Sequence, residues 1–228
     1  MVEQDIQGII FDLDGTLYSM RFMKMKMTFL LMGTIGFLRN LFAARAFVRR
    51  NAYENQDQLL RAMYDELASK TGKTAVQAEQ WFQGAFRAAF IRLLARGTSA
   101  RSGLVSLLNC LNQKNIKLAV ISDFDWVSSR LEALQIPTQL FDTLRCSEEF
   151  GVLKPAPKPF LEVAAQWNLS PNQVLVVGDR ADRDGECAKN AGMSFLGITD
   201  KREKRADFYC WNDAREQIRA RTNCGEFL

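Results

Sequence analysis

The 228-residue chain contains no histidine. This absence excludes Ser–His–Asp and Cys–His catalysis, because both need an imidazole as the general base. It also excludes metal sites that are built on imidazole nitrogen. Any metal ion must then be held by oxygen ligands, which favours Mg²⁺ or a similar hard cation.

Cysteine is sparse, with five residues at wide spacing and no Cys-x-x-Cys pair. This spacing predicts neither a zinc site nor a dithiol redox motif. An odd number of scattered cysteines fits a reducing compartment, so we expect reduced thiols and a cytoplasmic location. The N-terminus does not have the pattern of a secretory signal peptide, since acidic and polar residues precede a strand-like run.

A strong charge of one sign is also missing, because the formal net charge is only +4. No nucleic-acid-binding module is present, so nucleic acid is not an expected partner. One uncharged apolar stretch, residues 28–38, is too short to span a bilayer, which takes ~20 apolar residues. A helix buried in the protein is favoured there over an interfacial helix, and no membrane association is expected.

Short apolar runs alternate with helical periodicities over much of the chain. Three runs with β-branched residues predict buried strands at residues 7–11, 116–121 and 173–177, and weaker candidates are residues 143–146 and 194–198. Helical patterns lie between these runs. The alternation predicts an α/β fold with a doubly wound parallel sheet.

Residues 18–100 differ from the rest of the chain because they contain helical periodicities and no convincing strand. One amphipathic pattern covers residues 58–68. A second, at residues 76–94, carries an aromatic stripe that is more typical of a core than of a cofactor site. We therefore predict two domains, an α/β core domain of residues 1–17 and 101–228 and an all-helical cap domain of residues 18–100.

Polar side chains follow the predicted strands where each strand ends. Asp12 and Asp14 come after the first strand, Ser122 after the second and Asp179 after the third. The carboxyl ends of parallel strands share one edge of the sheet, where ligands bind and where helix N-termini suit a phosphate. Gly15 permits a sharp turn there and a close approach of the backbone.

These residue types suit phosphoryl transfer. Of the paired Asp12 and Asp14, one carboxylate attacks phosphorus and the other moves a proton. Two carboxylates repel a dianionic phosphate, so a cation must lie between them, and Asp179 and Asp184 complete its oxygen ligands. Lys154 neutralises charge beside the nucleophile. The residues assigned to phosphate binding are Ser122, Asp123, Gly15 and Lys154, although Asp123 taken alone is also explained as a solvated loop charge.

Four motifs in a fixed order resemble those of the haloacid dehalogenase-like (HAD) hydrolases. The first is Asp-Leu-Asp-Gly-Thr-Leu at residues 12–17, and the second is an apolar strand that ends at Ser122. The third, at residues 151–160, is similar to Lys-Pro-x-Pro-x-x-Phe, and the fourth, at residues 178–184, to Gly-Asp-x-x-x-x-Asp. The resemblance covers residues 7–17 and the predicted core after residue 100.

The resemblance implies a Rossmann-like core with a mobile helical cap between the first and second motifs. It implies that Asp12 is the nucleophile and forms an aspartyl-phosphate, and that Asp14 protonates the leaving oxygen and later deprotonates water. The implied Mg²⁺ ligands are Asp12, Asp179 and the backbone carbonyl of Asp14, with Asp184 in support. An aspartate at position 14 favours phosphoryl transfer, since the dehalogenases that name the superfamily lack it.

Together these features predict a Mg²⁺-dependent phosphatase that acts on a small phosphorylated metabolite. Two alternatives remain open, a sugar phosphomutase and a non-catalytic phosphate-binding or regulatory protein. The oligomeric state is also open between monomer and dimer. For residues 28–38, packing inside the cap is favoured over lining a leaving-group pocket. We hypothesise that the basic flanks Arg21, Lys24 and Lys26 favour an anionic substrate.

Overall fold

A computed structural model describes residues 5–200 and 207–225. Six strands are present in these residues: β1 (Gly8–Phe11), β2 (Lys117–Ser122), β3 (Thr143–Cys146), β4 (Val174–Gly178), β5 (Ser194–Ile198) and β6 (Phe208–Tyr209). They form one parallel sheet in the order β3-β2-β1-β4-β5-β6. The doubly wound sheet is confirmed, together with all five strands that the sequence predicts. The two-residue β6 is an addition.

The central strands are apolar on both sides because helices cover both faces of the sheet. Every residue of β1 and β4 is buried. Ile9 and Phe11 pack into one core cluster, and Ile10 packs into the other. Phe11 lies in register with Val120 of β2 and Val177 of β4. The three strands therefore end at nearly the same level of the sheet.

Ten α-helices accompany the sheet in the described residues. They are α1 (Met23–Leu30), α2 (Ile35–Val48), α3 (Gln56–Thr71), α4 (Ala75–Gln80), α5 (Arg87–Gly97), α6 (Leu104–Gln113), α7 (Val127–Ala133), α8 (Lys158–Gln166), α9 (Glu186–Ala191) and α10 (Trp211–Arg221). Helices α6–α9 connect successive strands. Helices α1–α5 all lie between β1 and α6.

The helices α1–α5 form an insertion that leaves the sheet and returns to it at one place. Residues 19–99 contain no strand. Tyr18 and Ala100 form an antiparallel bridge, and the backbone N–H of Arg101 donates to the carbonyl of Leu17 at 2.9 Å. This all-helical arrangement agrees with the periodicity of the sequence. The division of the chain into two domains at residues 17 and 100 remains a prediction.

The aromatic stripe of residues 76–94 lies in the core, as predicted. The pattern is shared among α4, a π-helical turn at Trp81–Phe86 and α5, and is not one continuous helix. Phe82, Phe86 and Phe90 are all buried, and the rings of Phe82 and Phe86 stack at a centroid distance of 5.3 Å. A π-helical turn adds about one residue to a turn of helix, so aromatic residues at this spacing reach one cluster.

The prediction of a buried helix at residues 28–38 is wrong for most of the stretch. The chain breaks there into α1, a 3₁₀ turn and α2, and two glycines at the break disfavour one continuous helix. Phe29 and Met32 are 74% and 67% exposed, whereas Leu31 and Leu38 are buried. Leu31 and Leu38 belong to the larger core cluster, so only part of the stretch packs against the rest of the protein. Among the residues that the structure describes, no helix combines the length and the apolar character that crossing a bilayer requires.

The expectation of reduced cysteines is not met for one pair. Cys110 on α6 and Cys224, which follows α10, form a disulfide across a sequence separation of 114 residues. Spacing in the sequence does not reveal this pairing, because only the fold brings such distant residues together. Cys146 and Cys187 are buried free thiols, and burial raises the pKa of the Cys187 thiol to about 12.

Candidate active site

The carboxyl edge of the sheet brings three of the predicted motifs together. Asp12 follows β1, Ser122 ends β2 and Asp179 follows β4. The backbone N–H of Asp12 donates to the carbonyl of Val177 at 2.8 Å, which extends the pairing of β1 with β4 to the first motif. Residues far apart in the sequence meet here because neighbouring parallel strands end in register.

Asp12 is a buried carboxylate that is held by two donors. Its Oδ1 accepts a hydrogen bond from the Nζ of Lys154 at 2.7 Å, and its Oδ2 accepts one from the hydroxyl of Thr16 at 3.0 Å. The same Nζ donates to Oδ1 of Asp184 at 2.8 Å. Both oxygens of the candidate nucleophile are therefore fixed in direction, and a positive charge lies beside them.

Burial and charge act in opposite directions on this cluster. Burial raises the pKa of Asp12 well above its usual value. Lys154 acts in the opposite direction, but its effect is smaller than the combined effect of burial and of the nearby carboxylates of Asp184 and Asp179. Burial alone would lower the pKa of the Lys154 ammonium, but the charges of Asp12 and Asp184 raise it above its usual value. Burial, with Asp184 adding to it, raises the pKa of Asp179 to about 7. One lysine therefore does not compensate the carboxylates gathered here.

Three carboxylates form a group that suits a hard divalent cation. One oxygen from each of Asp12, Asp179 and Asp184 lies within 4.8 Å of the other two. Oxygen-only donors are the ligands that Mg²⁺ prefers. Burial, together with repulsion among the carboxylates, raises the pKa values of Asp12 and Asp179, and a bound cation would oppose both effects. The residues present therefore fit the metal that the resemblance implies.

Two glycines allow this close approach of carboxylates to the strand ends. Gly15 has a φ of +97°, and a Cβ there would overlap the carboxylate of Asp179. A Cβ on Gly178 would overlap Asp184 in the same way. Glycine is needed at both positions, because only it leaves this space and, at position 15, takes up this φ without strain. The carbonyl of Gly15 accepts from Nη2 of Arg101 at 2.7 Å, which fixes the turn.

Asp14 lies apart from the three-carboxylate group. Its Oδ2 accepts from Nη1 of Arg130 at 2.6 Å, and its Oδ1 accepts from the hydroxyl of Tyr18. The hydroxyl of Ser122 lies 3.5 Å from the same Oδ2. The Asp14 carboxylate thus faces Arg130, and the expectation that Asp14 binds the metal rests on its backbone carbonyl.

Asp123 anchors the loop that carries Lys154. Its Oδ1 accepts from the backbone N–H of Lys154 at 2.9 Å, and its Oδ2 accepts from Nη2 of Arg49 at 3.0 Å. Burial would raise the pKa of Asp123, but Arg45, Lys154 and Arg49 outweigh it and hold that pKa below its usual value. Of the residues assigned to phosphate binding, Ser122 and Lys154 line the cavity with donor groups, whereas the carboxylate of Asp123 is engaged in holding its neighbours.

Sequence reasoning missed the arginines and the tyrosine that support this site. Arg45 on α2 pairs with Glu148 at 2.6 Å and donates to the carbonyl of Asp123 at 2.6 Å. Arg49, one helical turn later, donates from Nε to the carbonyl of Lys154 at 2.8 Å. The available signal in the sequence was a pair of arginines spaced four residues apart beside apolar positions. Such arginines more often face solvent, so this spacing does not by itself indicate a role in the site. The remaining missed residues are Tyr18 and Arg130.

A cavity of about 780 Å³ lies over the carboxylates, within the range of small-molecule sites. Asp12, Asp14, Asp179 and Lys154 are part of its lining. The inserted helices supply its apolar walls, chiefly Met23, Met27, Ile35, Leu38, Phe86 and Phe90. The stretch of residues 28–38 therefore lines the cavity, a role that the sequence analysis ranked below packing inside the cap.

The basic residues that line the cavity differ from Arg21 and Lys26, two of the residues that we hypothesise to favour an anionic substrate. Within the described part of the chain, Arg21 and Lys26 lie outside the cavity lining, and Lys26 donates from Nζ to the carbonyl of Gly97 at 2.8 Å. The side chain of Lys24 lies outside the described residues. Arginines at positions 39, 180 and 183 do line the cavity. Its positive charge thus comes from these three residues and from the lysine at the floor.

Comparison with curated proteins finds partial matches to two phosphatases. Glyceraldehyde 3-phosphate phosphatase of Methanopyrus kandleri is 41% identical over 73 residues, which cover 32% of this chain and 30% of that protein. Phosphoglycolate phosphatase of Escherichia coli is 31% identical over 105 residues, which cover 45% of this chain and 41% of that protein. The chain thus spans less than half the length of the curated relatives that it matches.

Comparison with solved structures confirms the fold. The crystal structure of 2-haloacid dehalogenase from Pseudomonas syringae pv. tomato superimposes with a TM-score of 0.65 at 20% identity, over 95% of this chain and 99% of that chain. The fold and the site together define a Rossmann-like α/β protein with a carboxylate centre at the carboxyl edge of its sheet. A family model of haloacid dehalogenase-like hydrolases matches residues 6–192. The chain belongs to that family of hydrolases.

Proposed function

We propose that this chain is a Mg²⁺-dependent phosphatase that hydrolyses a phosphate monoester through an aspartyl-phosphate on Asp12. The observation that carries the proposal is the buried Asp12 carboxylate, held by Lys154 and Thr16 at the floor of the cavity beside Asp179 and Asp184. The names of the two partially matching relatives support the same reaction class.

The charged residues at the floor have separate tasks in this proposal. Asp12, Asp179 and Asp184 hold Mg²⁺, which supplies the positive charge that lets a carboxylate approach a dianionic phosphate. Lys154 bonds to both Asp12 and Asp184, so it keeps the nucleophile directed and neutralises part of the charge on the phosphate. Ser122 offers its hydroxyl to a phosphate oxygen from the end of β2. Positioning and electrostatic stabilisation supply most of the catalysis.

In the first step an oxygen of Asp12 attacks phosphorus while the bond from phosphorus to the ester oxygen breaks. The leaving oxygen takes a proton from Asp14. Arg130 and Tyr18 hold Asp14 in place beside the cavity that it lines, where the leaving oxygen lies in this proposal. The product of this step is the free alcohol and a phosphorylated Asp12.

In the second step a water molecule attacks the phosphorylated Asp12. Asp14, now ionised, accepts the proton of that water, and phosphate departs with regeneration of the Asp12 carboxylate. One carboxyl thus serves first as acid and then as base.

The proposal is tested by phosphate release from a panel of phosphate monoesters with and without Mg²⁺. We expect release that requires Mg²⁺ and that falls by about 10⁴-fold or more in Asp12→Asn, because the nucleophile is lost. Asp65→Asn, at an exposed position on α3, is the matched control and should retain activity. Undiminished release by Asp12→Asn would contradict the assignment of the nucleophile.

Two other results of the same assay would select the alternatives. Interconversion of sugar phosphates without net phosphate release would favour a phosphomutase. Phosphate binding by a folded protein that turns over no compound would favour a non-catalytic role. The presence of Asp12, Asp14 and Asp179 together supports catalysis, because a binding protein has no need of this set.

A further inference from the structure

The cavity has a charged floor and apolar walls. Of its ten lining residues between positions 20 and 90, eight are apolar, and all ten belong to the segment inserted between β1 and α6. Met23, Met27 and Leu38 line the cavity and are buried from bulk solvent, whereas the lining residues Ile35 and Phe42 are 45% and 52% exposed. A phosphate bound at Asp12 would therefore have its ester group beside a mostly hydrocarbon wall, in which Thr28 and Arg39 are the two polar residues.

These walls match poorly the leaving groups of polar metabolites. A sugar or a small hydroxy acid carries several hydroxyl or carboxylate groups, and each must be hydrogen-bonded when it is removed from water. Methionine, leucine and phenylalanine offer no donors to such groups. Hydrocarbon in the same position gains from every methylene that leaves water. Methionine also adapts to irregular apolar ligands, because its side chain is unbranched and flexible.

Exposed apolar residues also lie close in sequence to the residues that line the cavity. Phe29 adjoins the cavity-lining Thr28 in sequence and is 74% exposed, and Met32, three residues before Ile35, is 67% exposed. Single exposed apolar residues are ordinary, but several large ones in one segment that also lines a cavity favour a site that binds an apolar ligand.

We propose that the substrate is an amphiphilic phosphate monoester whose leaving group is the alcohol of a long aliphatic chain. This inference rests on the proposed phosphatase function, since it names the substrate class of that same site. The phosphate lies over Asp12 and Lys154, and the chain lies along Met23, Met27 and Ile35. Hydrolysis breaks the bond between phosphorus and the alcohol oxygen. The alcohol gains a proton, and the oxygen of water ends on the phosphate.

The experiment is a series of n-alkyl phosphates from ethyl to decyl, assayed with Mg²⁺ below their micelle concentrations. We expect kcat/KM to rise by about fourfold for each added methylene until the cavity is filled. Butyl phosphate is expected to exceed glycerol 3-phosphate, which has nearly the same size but two hydroxyl groups. Hydrolysis of a lipid phosphate in phosphatidylcholine vesicles, compared with monomeric decyl phosphate, then distinguishes a membrane-borne substrate from a free one.

A pair of variants on α2 tests the wall directly. Ile35→Gln places an amide at the cavity rim and should reduce the gain per methylene, so that its loss of kcat/KM grows with chain length. Phe47→Gln is the matched control, because Phe47 is also an exposed apolar residue of α2, at 43%, but lies outside the cavity lining. This control should keep the chain-length dependence of the unmodified protein.

The outcomes separate this inference from the proposed function. Equal kcat/KM along the alkyl series, or a preference for glycerol 3-phosphate or phosphoglycolate, would overturn the substrate class and leave the phosphatase assignment standing. Absence of turnover for every ester would count against the phosphatase. In that case the affinities of Asp12→Asn for butyl and decyl phosphate, measured by calorimetry, decide the substrate class, since equal affinities would overturn it.

Discussion

The floor and the walls of the cavity are built in opposite ways. At the floor, Lys154 is bonded to both Asp12 and Asp184, and all three side chains are nearly inaccessible to solvent. In the walls, Ile35 and Phe42 are apolar and about half exposed. Fixed charges stabilise a reacting phosphate without rearrangement, whereas apolar side chains act through contact area. We infer that the sheet edge determines the reaction and the inserted helices determine the substrate.

The two regions are joined by α2. One end of this helix lines the cavity with Ile35 and Leu38, and the other end reaches the core through Arg45 and Arg49. A substitution that acts only on the floor should change the stability and the rate but not the substrate preference. A substitution that acts only on the walls should change the substrate preference but not the stability or the rate. The predictions below separate these effects.

The largest expected effect comes from Arg45→Met. The side chains of Arg45 and Glu148 are 3% and 0% exposed, so removal of the guanidinium leaves Glu148 buried without its partner. We expect the free energy of unfolding in urea to fall by about 3–5 kcal/mol. Arg50→Met, at an exposed position two residues after α2, is the control.

A second variant distinguishes the lost charge pair from lost packing. Arg45→Met combined with Glu148→Gln should recover part of the stability, because the uncompensated carboxylate is then absent. A single variant as stable as the unmodified protein would show that the two regions are not joined by this pair.

An intermediate effect is expected from Arg130→Met. Arg130 orients Asp14 at 2.6 Å, so its removal should lower kcat for an alkyl phosphate by about 10²-fold, the usual contribution of one general acid. The loss should be smaller for p-nitrophenyl phosphate, whose leaving oxygen needs little protonation. Equal losses for both substrates would indicate general damage to the site. Tyr18→Phe removes the other bond to Asp14 and should follow the same pattern more weakly.

The smallest expected effect concerns pH and the metal. The pKa of Asp179 in the folded protein is about 7, above the usual value of about 4 for an unfolded aspartate. A raised pKa contributes stability that is present below pH ~4 and is lost as pH rises through about 7. The metal-free protein should therefore lose about 1 kcal/mol of stability between pH 6 and pH 8.

Mg²⁺ should reverse that loss, because a cation replaces the protons that the carboxylates release. Thermal unfolding with and without Mg²⁺ at both pH values measures this, with NaCl of equal ionic strength as the control. The increase in Tm caused by Mg²⁺ should be greater at pH 8 than at pH 6. Asp179→Asn should remove most of this difference. If Mg²⁺ raised the Tm equally at both pH values, the result would mean that protons and the metal do not compete for Asp179.

The parts of the site that the sequence predicts are those fixed by short-range pattern. Asp12 and Ser122 stand at the ends of apolar strands, and strands of a parallel sheet end at a common edge. Lys154 and Asp179 lie in motifs whose order is readable without coordinates. The strands themselves were predictable because a buried parallel strand needs a continuous apolar run.

The parts that were missed depend on contacts between distant segments. The partners of Arg45 lie 78 and 103 residues away, and that of Arg130 lies 116 residues away. The periodicity of the sequence predicts that an arginine lies on a helix, but it does not show whether a buried carboxylate lies close enough to pair with it. The prediction of a buried helix at residues 28–38 was wrong for the converse reason. Hydrophobicity predicts burial only where other parts of the fold cover the apolar residues.

The anchoring of α2 has a mechanical consequence. Arg45 and Arg49 attach the C-terminal part of the helix to the loops of Asp123 and Lys154, whereas its first turn carries exposed Ile35 beside a 3₁₀ turn. A helix that is held at its C-terminal end has more freedom to move at its N-terminal end. If the cavity mouth widens, we therefore expect the movement to lie in α1 and the first turn of α2. The anchored end would then act as the pivot, and Lys154 would keep its position while the entrance changed size.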